Sequence, residues 1–599
     1  MCYVYCVNPK MRRGMGGVVV VVMVLVALVL VKAEGKTEAE PLEATVEVHL
    51  KQGAIFAARE EAGEGRYFYS FKGIPYAQPP VGDLRFRDPV PAEGWSQPKN
   101  GSLDPTVCPQ LSYESLLQSQ EEIIGSEDCL YLTVHTPNMC ITSKQKIPST
   151  SELACSKHGL AKIMSEKTNY VTFITAVKSS TMCYTYCGDC VQPRASHLPV
   201  MVWIHGGAFK SGGTATWNPP LPLLTRDIVL VVPRYRLGTL GFLSTEDSIM
   251  PGNLGLKDQT LALRWVHNNI RDLGGDPNKV TIFGESAGAA SVHFQILSPS
   301  AKGLFRRAIL QSGSALSSWA LRENHRQVAL QLGHKFNCTD AVSSSPTLES
   351  TQLLACLQQL PLQELVLANN HFTKWYDWPS VMLPRVDRDF LPAHPAHLLQ
   401  QGIYNKVDLI SGVNLHEGAM YSLKILAKKE MVEDLNQNFT LAGPVSLLFQ
   451  EWEEAPVYLA RRAYYHYMGD TLLTQDNAQQ AAQLLSDRFF SVPHEETSEL
   501  HTAAGLPLGH SLFKYQLQHR AQYSFTDLYN VSLKNHCKLR LVLLVDFVQP
   551  EAHVWVGHGD DLQYLFNSQP AILPPLQRPS DLFMRDIILT LWTNFATDG

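Results

Sequence analysis

The chain has 599 residues, of which 45% are hydrophobic and 18% charged, and its formal net charge is −6. This is a globular composition with ample apolar material for a large core, and one α/β sheet with long insertions can reach such a length. The small charge imbalance gives no reason to expect a nucleic acid partner, because binding phosphates requires clustered Lys and Arg.

The N-terminus has the pattern of a secretory leader. Arg12 and Arg13 precede an unbroken apolar run at 18–31, which matches the core of a signal peptide and is short for a membrane span. We therefore predict a signal peptide at 1–33 and a secreted protein, or one in the lumen of the secretory pathway. The alternative is a retained signal anchor. No other run is long and apolar enough to span a bilayer, so no stable span is expected after cleavage.

Two further features agree with a secretory route. That route is oxidising, so cysteine pairs can form disulfides. The chain also contains four N-x-S/T sequons, which are expected glycosylation sites in a secreted protein: Asn100, Asn337, Asn438 and Asn530.

Short apolar runs alternate with helical patterns along most of the chain. The run at 199–204 is apolar throughout, as expected for a strand that is buried on both faces. Alternating strands and helices predict an α/β fold with a central, mostly parallel twisted sheet flanked by helices. The predicted strands lie at 71–77 (with a turn), 129–134, 199–204, 228–232, 279–283, 308–310 and 407–410, and the clearest helices at 261–269 and 291–297.

Two regions depart from this pattern, although 34–599 is expected to form one domain. Residues 140–196 carry five cysteines and no convincing periodicity, which indicates an atypical insertion or a segment absent from the working protein. A metal site at Cys183, Cys187 and Cys190 is the alternative, but their spacing matches no common zinc pattern, and we predict no metal. The chain stops directly after a helical pattern, so its C-terminus is expected to be incomplete.

The motif G-E-S-A-G at 284–288 predicts a nucleophilic serine. It follows the strand at 279–283 and opens the helix at 291–297, and such a sharp strand-to-helix turn exposes the hydroxyl of Ser286. Small flanking residues avoid collisions there. The helix N-terminus favours developing negative charge.

A second Gly-rich turn predicts a site for that charge. The sequence H-G-G-A-F at 205–209 follows the buried strand that ends at Ile204. Small residues let backbone N–H groups approach a substrate oxygen, and the predicted donors are those of Gly207, Ala208 and Ala287. One such donor typically contributes about 10²–10³-fold in rate.

A serine nucleophile needs a base, and the chain has 21 His residues, so only context can select one. His558 is flanked by glycines in a predicted loop before an apolar run, which suits presentation into a site. His553, His510 and His293 are interpreted as structural.

The base needs an orienting carboxylate. Glu417 lies in the loop after the strand at 407–410, at the carboxyl end where ligands bind in open α/β sheets. Asp387, in a turn, and Asp408, inside a strand, are its rivals. With Glu417 the chain order is serine, acid, histidine, which is the order of α/β-hydrolases.

These motifs closely resemble those of the type B carboxylesterase and cholinesterase family, which has the α/β-hydrolase fold. Matching segments extend from about Phe71 to Phe595 without 140–196, and include S-E-D-C-L-Y-L at 126–132, Y-R-L-G at 235–238, N-L-G-L-K-D-Q at 253–259 and G-G-D-P at 274–277. The resemblance implies Ser286, Glu417 and His558 as catalytic residues of a carboxylic-ester hydrolase. It also implies two disulfides, Cys108–Cys129 and Cys338–Cys356, each worth roughly 3 kcal/mol in the chain-entropy model, and an unpaired Cys537.

Differences from some members of that family narrow the expected type of esterase. Cholinesterases carry a Trp in the first disulfide loop for cation–π contact with a quaternary ammonium, and residues 108–129 contain none. Juvenile hormone esterases typically have Gln where this chain has Glu285. A general carboxylesterase of the kind common in arthropods fits best. Ala208 replaces the third Gly of the more frequent H-G-G-G.

The expected chemistry is acyl transfer through Ser286 on a small-molecule ester, with no metal or organic cofactor. The alternative is a non-catalytic, neuroligin-like adhesion or binding protein on the same fold, since a fold does not fix a function. Such relatives usually lack one or more triad members, whereas this chain has all three.

Overall fold

A computed structural model describes residues 45–63, 65–112, 121–137, 197–213, 219–338, 346–449, 453–503, 510–529, 555–567 and 573–599. The predicted leader at 1–33, the segment 140–196 with its cysteines, and Cys537 lie outside these residues. Within them, no helix combines the length and apolar character that crossing a bilayer requires.

One large sheet dominates the described part of the chain. Its strand order is β1-β2-β3-β7-β9-β8-β10-β11-β12-β13, with β4 added beside β2, while β5 and β6 form a separate ribbon. The strands are β1 Thr45–Leu50, β2 Gly53–Gly63, β3 Arg66–Pro75, β4 Lys99–Asn100, β5 Gln110–Leu111, β6 Ile123–Ile124, β7 Tyr131–Thr136, β8 Leu198–Ile204, β9 Val229–Pro233, β10 Gly275–Glu285, β11 Arg307–Gln311, β12 Asp408–Asn414 and β13 Leu512–Leu517.

Strands β9, β8, β10, β11, β12 and β13 pair in parallel, and β1, β2, β3 and β7 add an antiparallel edge. This arrangement confirms the predicted α/β fold with a mostly parallel sheet.

Helices follow or connect most of the parallel strands. Those of the described residues are α1 Leu221–Leu224, α2 Gly238–Phe242, α3 Leu254–Asn269, α4 Ala287–Leu297, α5 His325–Lys335, α6 Pro346–Leu357, α7 Leu362–Leu367, α8 Pro395–Gln400, α9 Ala419–Leu426, α10 Lys429–Gln437, α11 Phe439–Ser446, α12 Pro456–Met468, α13 Ala478–Ser486, α14 Val492–Ala503, α15 Leu562–Leu565 and α16 Pro579–Thr597. A π-helical turn, Asp487–Ser491, joins α13 to α14.

The central strands are buried on both faces, as the apolar run at 199–204 predicted. Val202 and Ile282 belong to the core on one face, which α3 and α4 complete. Trp203 and Phe283, one residue further along each strand, belong to the core on the other face with Trp592 of α16. Side chains alternate between the two faces of a strand, so one apolar strand supplies both cores.

Several elements are longer than predicted. Strand β10 continues through Glu285, β12 continues to Asn414, and α3 begins at Leu254 instead of residue 261. The first turns of α3 lack an apolar stripe because Asp258 is buried there, where its carboxylate accepts two hydrogen bonds from the Arg236 guanidinium at 2.7 and 2.8 Å. A charged residue on the buried face interrupts the apolar periodicity by which a helix is predicted from sequence.

Both disulfides implied by the family resemblance are present in the structure. Cys108 is bonded to Cys129, 21 residues away, and Cys338 to Cys356, 18 residues away. The first closes the loop before β7, and the second joins the end of α5 to α6.

The parallel register brings the ends of four strands to one edge of the sheet. Gly284 of β10 pairs with Ile204 of β8, Glu285 pairs with Gln311 of β11, and Gln311 pairs with Gly412 of β12. The loops that leave β8, β10 and β12 therefore meet at the carboxyl end of the sheet, which is where open α/β sheets bind ligands.

Candidate active site

Ser286 occupies the turn between β10 and α4. Its backbone has φ 58° and ψ −124°, a conformation that non-glycine residues rarely adopt. Two backbone hydrogen bonds hold the turn: the Ser286 N–H donates to the Gln311 carbonyl at 2.9 Å, and the Ala290 N–H donates to the Ser286 carbonyl at 3.0 Å. Unlike its neighbours Glu285 and Ala287, Ser286 is only partly buried, so solvent reaches this residue.

Close packing explains the glycines on either side. A Cβ atom on Gly284 would lie 2.5 Å from the Ile204 carbonyl oxygen, and one on Gly288 would lie 2.0 Å from the same oxygen. The β10–α4 turn thus packs against the end of β8 at a distance that only glycine permits.

His558 and Glu417 form a buried pair beside this turn. His558 Nδ1 lies 2.6 Å from Glu417 Oε2. The other oxygen, Oε1, accepts hydrogen bonds from the Ser312 hydroxyl at 2.5 Å and the Asn414 N–H at 2.6 Å. Glu417 is fully buried, and with both oxygens occupied its carboxylate can hold the imidazole in one tautomer and one orientation.

The second ring nitrogen of His558 contacts the residue before the serine. Nε2 lies 3.1 Å from Glu285 Oε1, although that oxygen has no partner in hydrogen-bond geometry among the described residues. Burial lowers the pKa of His558, but the neighbouring carboxylates, Glu285 first and Glu417 second, outweigh burial and raise this pKa to about 9. Burial raises the pKa of Glu285 to about 8, against the effect of the His558 charge.

The His558 loop is fixed by the two aspartates that follow it. Asp560 accepts hydrogen bonds from the Gly557 N–H at 2.8 Å and the Phe525 N–H at 2.9 Å. Asp561 accepts from Gln311 of β11 at 2.7 Å and from Tyr515 of β13 at 3.2 Å. Both carboxyls are buried, and burial raises their pKa values, that of Asp560 to about 7.

The loop after β8 packs on the serine turn. A Cβ atom on Gly206 would lie 2.5 Å from the Glu285 carbonyl oxygen and 3.1 Å from Ser286 Cβ. Gly207 and Ala208 then adopt φ values of 110° and 54°, and Ala208 is exposed. Across the residues that the structure describes, the N–H groups of Gly207, Ala208 and Ala287 have no acceptor within the protein. They are available to an external oxygen atom.

The rival acids and bases lie elsewhere. Asp387 accepts two backbone N–H groups in its own turn. Asp408 begins β12, at the opposite end of that strand from Glu417, and lies 3.6 Å from His510 and 3.7 Å from Arg307. His293 is buried 3.1 Å from His501. His553 lies outside the described residues. Of these candidates, the structure brings only Glu417 and His558 together beside Ser286.

Comparison of the sequence with known proteins identifies its family. The model of the carboxylesterase family matches residues 44–599. The chain belongs to the carboxylesterase family.

Relatives in this family are similar over most of the chain. A juvenile hormone esterase of Tribolium castaneum is 33% identical over 92% of this chain and 83% of its own length. Esterase FE4 of Myzus persicae is 31% identical over 93% of this chain and 85% of its own length. Human neuroligin-3 is 28% identical over 88% of this chain but only 59% of its own length. Together with the family match, the esterases class this chain as a carboxylic ester hydrolase.

Sequence reasoning missed several residues that shape the site of this carboxylesterase. The acidic pair after His558 was visible but was not assigned a role. Nothing in the sequence signalled the contacts of Ser312 and Asn414 with Glu417, because they depend on how β11 and β12 align. The contact of Glu285 with His558 likewise depends on the fold.

Other predicted sites are distributed as follows. Asn100, Asn337 and Asn438 are exposed, which suits modification, while Asn530 lies outside the described residues. No group of three potential metal ligands lies together in the described ranges. Cys183, Cys187 and Cys190 are not among them.

Proposed function

We propose that this chain is a secreted serine carboxylesterase in which Ser286 is the nucleophile, His558 the general base and Glu417 the residue that orients the base. The N–H groups of Gly207, Ala208 and Ala287 form the oxyanion hole. No metal or organic cofactor takes part in this scheme.

The observation that carries the proposal is the contact of His558 with the buried Glu417, directly beside the strained turn of Ser286. A structural histidine has no need of a fully buried carboxylate whose second oxygen is held by two further donors. Nucleophile, base and orienting acid within one loop cluster are the recurring arrangement of serine hydrolases.

In the acylation step, Ser286 Oγ attacks the ester carbonyl carbon while its proton passes to His558 Nε2. The carbonyl oxygen becomes an oxyanion, which the three N–H groups stabilise. When the oxyanion collapses, the bond from carbon to the alcohol oxygen breaks, and His558 returns the proton to the leaving alcohol. The acyl group remains on Ser286.

In the deacylation step, water replaces the alcohol. His558 accepts a proton from water, hydroxide adds to the acyl carbon, and the new oxyanion forms in the same place. Collapse breaks the bond to Ser286 Oγ, which recovers its proton from His558. The products are a carboxylic acid and the free enzyme.

A general carboxylesterase is the favoured type. The Tribolium relative is a juvenile hormone esterase, but Glu285 stands where such esterases typically have Gln. The adhesion alternative has weaker support, because neuroligin-3 is less similar and the assembled acid–base pair has no purpose in a binding protein. Secretion rests on the predicted leader at 1–33 and the exposed sequons.

The direct test is hydrolysis of a short p-nitrophenyl ester by purified wild-type protein and by the Ser286→Ala variant. We expect turnover in the wild type and none above background in the variant, with both proteins folded by circular dichroism. Equal activity in the two proteins would refute the role of Ser286, and a folded but inactive wild type would favour the adhesion alternative.

A further inference from the structure

Three lysines lie close in sequence to the proposed catalytic residues without a part in the mechanism. Lys210 follows two residues after Ala208, in the loop of the proposed oxyanion hole. Lys424 lies on α9, the helix that follows Glu417, and Lys428 lies just beyond its end. The segments that carry these lysines therefore leave the same end of the sheet as the site.

The side chains of Lys424 and Lys428 converge on one aromatic ring. Lys424 Nζ lies 4.7 Å from the ring centre of Tyr376, and Lys428 Nζ lies 5.4 Å from it. Lys424 Nζ also lies 3.4 Å from the carboxylate of Asp377, which is 62% exposed. Both ammonium groups thus lie within cation–π distance of the same ring, which does not use up their N–H donors.

A series of aromatic ring contacts connects Tyr376 with the catalytic base, His558. Ring centres are 5.8 Å apart between Tyr376 and Trp378 and 5.5 Å between Trp378 and Tyr421. They are 6.3 Å apart between Tyr421 and Phe490, and 4.6 Å between Phe490 and His558. These ring contacts link the His558 imidazole to the lysines through the protein interior, because Phe490 is buried in a core against which Tyr376, Trp378 and Tyr421 pack.

Positive charge is in excess at the lysine end. Asp377 pairs with Lys424, but among the residues that the structure describes neither Lys210 nor Lys428 has a carboxylate within ion-pairing distance. Burial first, and then the charges of Lys428 and Lys210, lower the pKa of Lys424 to about 8. Burial also lowers the pKa of Lys210. Partly desolvated cations that repel one another gain from an incoming anion.

We propose that Lys210 and Lys424, supported by Lys428, bind a carboxylate on the substrate, so that this enzyme prefers esters that carry a negative charge beyond a short apolar spacer. The inference rests on the proposed function, because it names the substrate class of that same site. The lysines contact the carboxylate, and the ester carbonyl lies at Ser286; the spacer is short because Lys210 follows only two residues after Ala208 of the proposed oxyanion hole.

The test compares two p-nitrophenyl esters with six-carbon acyl chains, the neutral hexanoate and the anionic monoester of adipic acid. The quantity measured is the ratio of kcat/KM for the adipate to kcat/KM for the hexanoate. We expect Lys210→Gln and Lys424→Gln each to lower this ratio about fivefold, the upper end for an exposed ion pair. In the wild type, 0.5 M NaCl should also lower the ratio, because salt screens the attraction.

Lys429→Gln is the matched control. Lys429 lies on α10, is 87% exposed and pairs with Glu433 at 3.1 Å, so its loss should leave both rates at the wild-type level. If Lys210→Gln does not fold, the Lys424→Gln variant and the salt dependence of the wild type still test whether the lysines bind the substrate carboxylate.

The outcomes separate the two proposals. If the hexanoate is hydrolysed but the ratio is the same in both lysine variants and at high salt, the anionic substrate class is wrong, and the lysines merely cover the Tyr376 ring. If the folded wild type hydrolyses neither ester, the proposed function itself fails.

Discussion

The two sides of the candidate site are built in opposite ways. On the acid–base side, both oxygens of Glu417 have partners, and the aspartates after His558 fix its loop through backbone and side-chain donors. On the oxyanion side, positive φ values and glycine contacts hold the loop, while the N–H groups of Gly207 and Ala208 have no acceptor in the described protein.

The difference follows from what each side must do. A base must stay in one orientation, so its partners are saturated before the substrate arrives. An oxyanion hole must offer donors that meet a full acceptor only when charge develops, and preorganised empty donors cost no rearrangement at that moment. Substitutions on the first side should therefore act through proton transfer, and those on the second through geometry.

Removal of the base should have the largest effect. We expect His558→Ala to lower kcat about 10⁴-fold, the upper end for a general base, because Ser286 then has no proton acceptor. Steady-state ester hydrolysis measures this. His510→Ala is the control, since His510 lies by Asp408 at the other end of β12. Equal losses in the two variants would mean that His558 acts through stability.

Loss of the orienting charge should have the next largest effect. Glu417→Gln keeps the shape of the side chain but removes the charge that stabilises the imidazolium, and we expect roughly a 10³-fold loss in kcat, less than loss of the base itself. Asp387→Asn, at the rival acid that accepts N–H groups only within its own turn, is the matched control. Full activity in Glu417→Gln would assign the orienting role to another carboxylate, with Glu285 the first to examine.

On the oxyanion side, Gly206→Ala should disturb the geometry. Its Cβ atom would lie 2.5 Å from the Glu285 carbonyl oxygen, so the loop must move and carry the donors with it. We expect about a 10²-fold loss in kcat, as for loss of one donor. Gly303→Ala is the control for lost stability alone, because nothing lies within 4 Å of the added atom but the φ of 78° is unfavourable for alanine. Thermal melting of both variants separates misplacement of the donors from unfolding.

The smallest effect concerns pH. His558 must be neutral to accept a proton, so kcat/KM should rise with pH through the His558 pKa, which the nearby carboxylates raise to about 9. Glu285→Gln removes the first of those charges, so the rise should move to lower pH by about one unit. The kcat/KM profile from pH 5 to 10 measures this. An unchanged midpoint would show that Glu285 does not act on His558.

Much of the fold and of the candidate site could be predicted from local pattern. The strand at 199–204 is apolar on both faces, and G-E-S-A-G lies between a strand and a helix. The sheet and the serine turn could therefore both be predicted. Glu417 was selected because ligands bind at the carboxyl ends of strands.

Contacts between buried polar residues explain the parts of the fold and of the site that the sequence did not predict. Asp258 is paired with Arg236 inside the protein, and this concealed the first turns of α3. The contacts of Glu285 with His558 and of Asp561 with Gln311 and Tyr515 join elements far apart in the sequence. Such contacts depend on the register of strands that pair only after folding, and neither composition nor periodicity encodes them.

The proposed function depends most on Ser286 as the nucleophile that His558 activates. The most direct measurement is covalent labelling with an organophosphate, followed by mass spectrometry of the digested protein, in wild type and in His558→Ala. We expect one phosphorylated residue, Ser286, in the wild type and strongly slowed labelling in the variant. Labelling at another serine, or equal rates in both proteins, would contradict the proposed function.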